Sequence, residues 1–165
     1  MSTRFSRVLA LFSAVALLTA GVALAATITV RSANNAKLGR IVVNSGGMTL
    51  YQNTREKNGV TRCSNSCARN WPPLLVTRSE KVKAGPGINA SKFGKVKRPD
   101  SHYYQVTYYG KPLYRSFRDV KRGNVNGEGI GGIWFAIKTN GDLAMPSSTG
   151  TTTTTVTTST NPYGY

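Results

Sequence analysis

The apolar positions from residue 26 to 145 follow the spacing of strands, and helical periodicity is scarce. Ile28 and Val30 are followed by Ile41 and Val43 in a weak alternation. Ser45-Gly46-Gly47 is a turn signal between two apolar runs, so Ile41–Asn44 and Met48–Tyr51 are expected to form a hairpin. Tyr103 to Tyr108 is dense in aromatic and β-branched residues, Gly110-Lys111-Pro112 turns the chain, and Leu113–Phe117 returns. Ile133–Lys138 and Asp142–Met145 flank Thr139-Asn140-Gly141, and Asn-Gly is a strong hairpin signal. One short helical turn is expected from Ser64 to Asn70, where Trp71-Pro72-Pro73 stops it. Arg78–Arg98 is basic and contains Gly and Pro, so it reads as an irregular or partly extended surface connection. Residues 146–165 carry a Thr-rich run, Thr151–Thr160, which cannot supply a core and is expected to be a disordered tail. The fold class is mainly β.

The same patterning occurs twice, at an ungapped offset of 63 residues. Gly47 matches Gly110, Leu50 matches Leu113, Tyr51 matches Tyr114 and Arg55 matches Arg118. Glu56 falls on Asp119, and the only two tryptophans, Trp71 and Trp134, also share the register. A fixed offset of this kind marks two copies of one supersecondary unit. The repeats span about 38–76 and 101–139 and are joined by the basic linker within one domain, 26–145. Each half is near ~50 residues, a size at which core burial is marginal. The halves are therefore expected to share one core, anchored by Trp71 and Trp134.

Residues 1–25 read as a cleaved signal peptide. Arg4 and Arg7 precede an apolar stretch, Val8–Leu18, and Ala23-Leu24-Ala25 is a small-x-small exit. The mature chain would begin at Ala26, secreted, periplasmic or associated with the cell wall. An uncleaved membrane anchor is the competing reading, but Thr19 and Gly21 interrupt the apolar stretch. No later segment approaches spanning length. Val22 stands where a lipobox would place its lipidated cysteine, so that form of anchoring is not expected.

Charge adds the next constraint. The whole chain carries 22 Lys+Arg against 6 Asp+Glu. Removing Arg4 and Arg7 leaves a mature net charge of about +14, which bears on association with anions and not on fold. Partners reachable after export are anionic envelope polymers, lipid headgroups and, as a lesser case, nucleic acid. A solvated basic surface without a specific partner is the plain alternative. Lys95, Lys97, Arg98 and Lys111 lie among Tyr103, Tyr104, Tyr108 and Tyr109, and are the candidate anion-binding residues. Strand alternation would send about half of those tyrosines into the core.

Cys63 and Cys67 are the only cysteines, and an oxidising compartment favours a disulfide between them. A redox dithiol and a metal site are the alternatives. A metal needs about four ligands, and His102 is the only histidine. No cofactor or metal is expected. Gly127–Gly132 fits G-x-G-x-x-G as a string, yet it runs into a strand-like segment instead of a helix, so dinucleotide binding is not inferred. No nucleophile elbow accompanies His102, and no acid–base constellation is recognisable, so no catalytic residue is assigned. The repeat core is Gly-x-x-Leu-Tyr with an acid five positions after the tyrosine: Tyr51 with Glu56, Tyr114 with Asp119. An offset of five places the two on opposite faces of a strand, so they meet only if the chain turns. The structural reading has each acid capping backbone N–H groups of that turn. The functional reading has a hydroxyl–carboxylate site.

Three segments carry a resemblance: Cys-x-x-x-Cys-Ala-x-x-Trp-Pro-Pro-Leu (63–74), Gln-Val-Thr-Tyr-x-Gly-x-Pro-Leu-Tyr (105–114) and Asn-Gly-x-Gly-x-Gly-Gly-x-Trp-Phe (126–135). With the tyrosine–acid motif, they resemble a bacterial family of exported repeat proteins, often predicted lipoproteins, named for a Tyr-x-x-x-x-Asp motif and of unknown function. The likeness covers Leu38 to Lys138. It departs at Glu56, which stands for Asp, at the missing lipidated cysteine, and at Asn53 and Ser116, where members often carry an aromatic residue. The resemblance implies a bacterial secreted or envelope-associated protein and transfers no catalytic residue. The expected function is a non-enzymatic binding module for anionic polymer. An accessory role in extracytoplasmic redox or metal handling is the alternative.

Overall fold

The computed structural model describes residues 27–145; the signal-peptide and Thr-rich tail expectations lie outside the described residues. The chain forms β1 (Thr27–Asn35), β2 (Gly39–Asn44), β3 (Tyr51–Asn53), α1 (Asn65–Asn70), β4 (Leu75–Val76), β5 (Lys81–Ala84), β6 (Phe93–Lys97), β7 (Tyr104–Tyr108), β8 (Lys111–Pro112) and β9 (Trp134–Ala136). They assemble into three small sheets, ordered β2-β1-β5, β3-β9 and β4-β7-β6, with β8 pairing β7. All pairings are antiparallel except β1 with β5.

The first expected hairpin forms, with Asn44 N–H bonded to Met48 O at 3.0 Å. The second turns at Tyr109-Gly110, one residue earlier than the sequence suggests. Both residues have positive φ, 49° and 78°, the requirement of a type I′ turn. The Asn140-Gly141 hairpin closes through Lys138 N–H to Asp142 O at 2.8 Å. The linker departs further from expectation. It holds β5, which lies parallel to β1, and β6, which adds an edge to β7. Lys81-Val82-Lys83-Ala84 alternates exposed and half-buried positions, as an amphipathic edge strand does, while in Phe93-Gly94-Lys95-Val96-Lys97 only Phe93 and Val96 are half-buried.

The two repeats interlock. Repeat one sends Pro73–Val76 to repeat two, where Val76 pairs Tyr104 and Leu75 pairs Gln105. Repeat two returns Trp134–Ala136 to repeat one, where Ala136 pairs Tyr51. Two closed cycles of backbone bonds record the exchange. Val42 N–H donates to Ile137 O (2.8 Å), Ile137 N–H to Leu50 O (3.3 Å), and Leu50 N–H to Val42 O (3.0 Å). In the second cycle Val106 N–H donates to Leu74 O (2.9 Å), Leu74 N–H to Leu113 O (2.9 Å), and Leu113 N–H to Val106 O (2.9 Å). Each cycle takes two members from one repeat and the third from the other. Between them, Tyr51 and Tyr114 exchange backbone bonds of 2.8 and 3.0 Å across a pseudo-twofold axis.

This central layer is buried on both faces. Val42, Leu50, Val106, Leu113 and Ile137 enter one apolar cluster, and Ile41, Val43, Tyr51, Tyr114 and Ala136 enter the other. Double-sided burial explains why Ile41-Val42-Val43 reads as a continuous apolar run where a half-exposed strand would alternate.

Candidate functional site

Trp71 and Trp134 stand at the middle of the second cluster. Their rings stack at 3.9 Å with planes 6° apart. Each is met edge-on by a tyrosine: Trp71 by Tyr51 at 5.5 Å, Trp134 by Tyr114 at 5.1 Å. The cluster is thus a four-ring unit, two rings from each repeat. Both tyrosines are fully buried, so their hydroxyls must be satisfied inside the protein.

They are satisfied across the repeats and not within them. Tyr51 donates to Asp119 Oδ2 at 2.7 Å, and Tyr114 donates to Glu56 Oε1 at 2.7 Å. The tyrosine and acid of one motif never meet. Each acid also accepts backbone N–H groups seven residues on, at corresponding positions: Cys63 N–H on Glu56 Oε1 (3.1 Å) and Asn126 N–H on Asp119 Oδ1 (2.8 Å). Glu56 Oε1 takes Arg62 N–H as well, at 2.6 Å. The turn that separates tyrosine from acid is capped by Asn53 and Ser116, whose side chains accept from Arg55 N–H (2.9 Å) and Arg118 N–H (3.2 Å). These are the two positions where an aromatic residue would fit the family pattern, and here they serve as turn caps.

Burial, then the bond to Asp119, pushes the Tyr51 hydroxyl far above its ordinary value. Burial does the same for Tyr114, with the Glu56 charge adding to it. Asp119 is itself held up by burial, against the lowering effect of the bonds from Tyr51 and Asn126. A third acid, Glu128, accepts Ala136 N–H at 2.7 Å and is also raised by burial. Gly127 N–H reaches the Tyr51 oxygen at 3.3 Å. A side chain at Gly127 would collide with the Tyr51 ring, since a Cβ there would lie 2.8 Å from Cζ. The hydroxyl–carboxylate pairs therefore form ties between repeats, sealed from solvent, and offer no open site for a substrate.

Cys63 and Cys67 form a disulfide with Cα atoms 5.1 Å apart, at the start of α1. Cys67 O accepts Trp71 N–H at 2.8 Å, so the bridged turn sets the position of the stacked ring. His102 is exposed and lies on Tyr103, 4.1 Å between ring centroids. Gly127–Gly132 is a loop ending in a 3₁₀ turn, Ile130–Gly132, that feeds β9.

The four candidate anion-binding residues do not make one patch. Lys95 and Lys97 are exposed on the outer edge strand β6. Lys95 Nζ donates to Arg78 O (2.7 Å) and Glu80 O (2.9 Å), and Lys97 Nζ donates to Ser101 O (2.9 Å). Lys111 is half-buried and donates to Glu56 O at 3.0 Å. Arg98 corrects the expectation: it is 3% exposed, and its guanidinium bonds Asp100, Gln105 Oε1 (2.6 Å) and Cys63 O (2.8 Å). It is an internal brace. Of the neighbouring tyrosines, Tyr108 is in the core and Tyr103 is exposed.

Sequence reasoning missed Gln52, Gln105 and Glu128. Gln105 Nε2 donates to Leu113 O (2.8 Å) and Gln52 Nε2 to Tyr108 O (2.9 Å). Neither glutamine has a glutamine partner in the 63-residue register, so the repeat gave no signal for them.

A cleft of 320 Å³ opens between the edge strands β5 and β6, lined by Val82, Ala90, Phe93 and Gly94, by Lys81 and Lys95, and by one acid, Glu80. Among the described residues no helix is long and apolar enough to cross a membrane. Residues 32–75 and 100–138 match the model of a family described as a secreted repeat of unknown function, one match to each repeat. Comparison with curated proteins and with solved structures returns no match.

Proposed function

The chain belongs to a family of secreted repeats of unknown function, and from that premise we propose that it is a non-enzymatic protein of the cell envelope or its surroundings that holds anionic polymers on its basic surface. One observation carries this reading: of the six acids set against 20 Lys and Arg in residues 27–145, only one lies within ion-pair distance of a cation. Glu56 and Asp119 are buried in the cross-repeat ties. Glu128 bonds Ala136 N–H, Glu80 caps its own turn at Thr77 N–H, and Asp142 accepts from Asn140. Asp100 alone meets a cation, Arg98, in the one salt bridge among the described residues. With those six accounted for, none of the other 19 Lys and Arg of residues 27–145 lies within ion-pair distance of a carboxylate among the described residues, although Lys95 is near enough to help lower Glu80. A surface whose cations are uncompensated attracts flexible polyanions and is governed by ionic strength.

Two edge strands, β5 and β6, flank a cleft on that surface and carry Lys81, Lys83, Lys95 and Lys97, of which Lys81 and Lys95 line it. The test is binding of the mature protein to inorganic polyphosphate and to DNA as salt is raised. Affinity should fall steeply, linear in the logarithm of salt concentration. Reversing those four lysines to Glu should weaken binding more than reversing Arg31, Lys37 and Arg40. Equal effects would mean a diffuse field without a preferred face. No binding at low salt would sink the proposal.

A further inference from the structure

The loop after the motif tyrosine is built twice on the same backbone bonds, and the two versions differ in character at their solvent-facing positions. In both, a side-chain cap closes the turn, Asn53 in one and Ser116 in the other. In both, the acid's N–H returns to the carbonyl of the cap residue at 3.1 Å. In both, the N–H after the cap crosses to the other repeat: Thr54 to Ile133 O (2.8 Å), Phe117 to Asn70 O (2.9 Å). With the backbone matched, the outward positions read Thr54, Arg55 and Lys57 in the first loop and Phe117, Arg118 and Val120 in the second.

Phe117 is 56% exposed and Val120 78%. The first loop shows that this turn forms with Thr and Lys at those places, so packing does not require apolar residues in the second. Their neighbours narrow what would cover them. Arg115, Arg118, Lys121 and Arg122 are all exposed, and Asp119, the only acid in 115–122, is turned inward to Tyr51. The loop is already braced. Asn126 Nδ2 donates to Arg118 O (2.9 Å), Lys121 N–H to Asn124 Oδ1 (3.0 Å), and Gly123 N–H to Gly47 O (3.2 Å).

Two apolar tips inside a ring of cations match a surface that is anionic at its face and apolar just beneath, which is an acidic lipid bilayer. A soluble polyanion would use the cations and leave the tips in water. We infer that loop 115–122 is a lipid-docking loop, with Phe117 and Val120 entering the headgroup–acyl boundary while the four cations hold acidic headgroups. It rests on the polyanion reading only for its cations; the apolar tips are its own content.

The twin loop supplies the test. Phe117→Thr with Val120→Lys copies the first loop at both outward positions and adds a positive charge. On vesicles of phosphatidylglycerol and phosphatidylcholine in equal parts, this variant should partition about tenfold more weakly than wild type despite the added charge, because its buried apolar area is gone. Both proteins should bind polyphosphate alike. In a second variant, Phe117→Trp, the new indole should shift to the blue on these vesicles and be quenched by brominated acyl chains. The native Trp71 and Trp134 are buried and should not respond. A double variant that partitions as well as wild type, or an unquenched Phe117→Trp on bound vesicles, overturns the docking loop. Retained polyphosphate binding in that case leaves the broader reading standing. Loss of both kinds of binding in wild type sinks both.

Discussion

Tyr51 and Tyr114 show what a single hydroxyl does when its partner lies in the other half of the chain. Removing it leaves a buried carboxylate oxygen short of a donor, a loss of about 1–3 kcal/mol. Tyr51→Phe should therefore lower the denaturation midpoint by that amount without changing the slope, and chemical denaturation would measure it. The raised acids set a pH dependence at the same scale. Burial holds Asp119 and Glu128 above the ordinary carboxylate range, so the native state keeps protons the unfolded chain has released. Stability then falls as pH rises from the ordinary carboxylate range through their folded values. Asp100 acts in the opposite sense. The bond from Arg98 lowers it, so its contribution is lost only when pH falls through its lowered folded value. Thermal melts should show a maximum in the weakly acidic range and decline toward neutrality; a monotonic rise to neutral pH would contradict the assignment. The tyrosines and acids were legible in sequence as equivalent positions. Their pairing was not, because a repeat register reports which residues are alike, and these two bonds join a tyrosine of one repeat to the acid of the other.

Elements tell a similar story with a different cause. The hairpins around Gly46-Gly47 and Asn140-Gly141 were legible because turn chemistry is local. The edge strands β5 and β6 were not, although Lys81-Val82-Lys83-Ala84 has the period of a strand. Gly85-Pro86-Gly87 between them masked the alternation, and the parallel partner of β5 lies some fifty residues upstream, in β1. Arg98 was misjudged in part for the same reason: Asp100 lies two residues on, but the Cys63 carbonyl that also holds the guanidinium inside is remote in sequence. At this scale the stacked tryptophans make the clearest prediction. Each seals the same interface from one side, so Trp71→Ala and Trp134→Ala should each destabilise by about 3–5 kcal/mol. Equal losses by thermal or chemical denaturation would reflect the stack, and a stable Trp134→Ala protein would show that Trp134 is not a core anchor.

For the molecule as a whole, composition was a good guide to surface and a poor one to interior. The excess of cations was legible at once; that Glu56 and Asp119 would be drawn inside was not, since burial of a carboxylate depends on the donors that tertiary structure brings to it. The interlocked strands have a consequence for ancestry. Each repeat closes its cycle of backbone bonds only with a strand lent by the other, so a chain carrying one copy would expose an unpaired edge beside an open core. Such a chain could fold only by exchanging strands with a second molecule of itself. The two repeats of the present chain thus stand to each other as the subunits of a strand-swapped homodimer would. Repeats bound by this logic should be inherited in pairs, and an odd copy would have to recruit its mate from another chain.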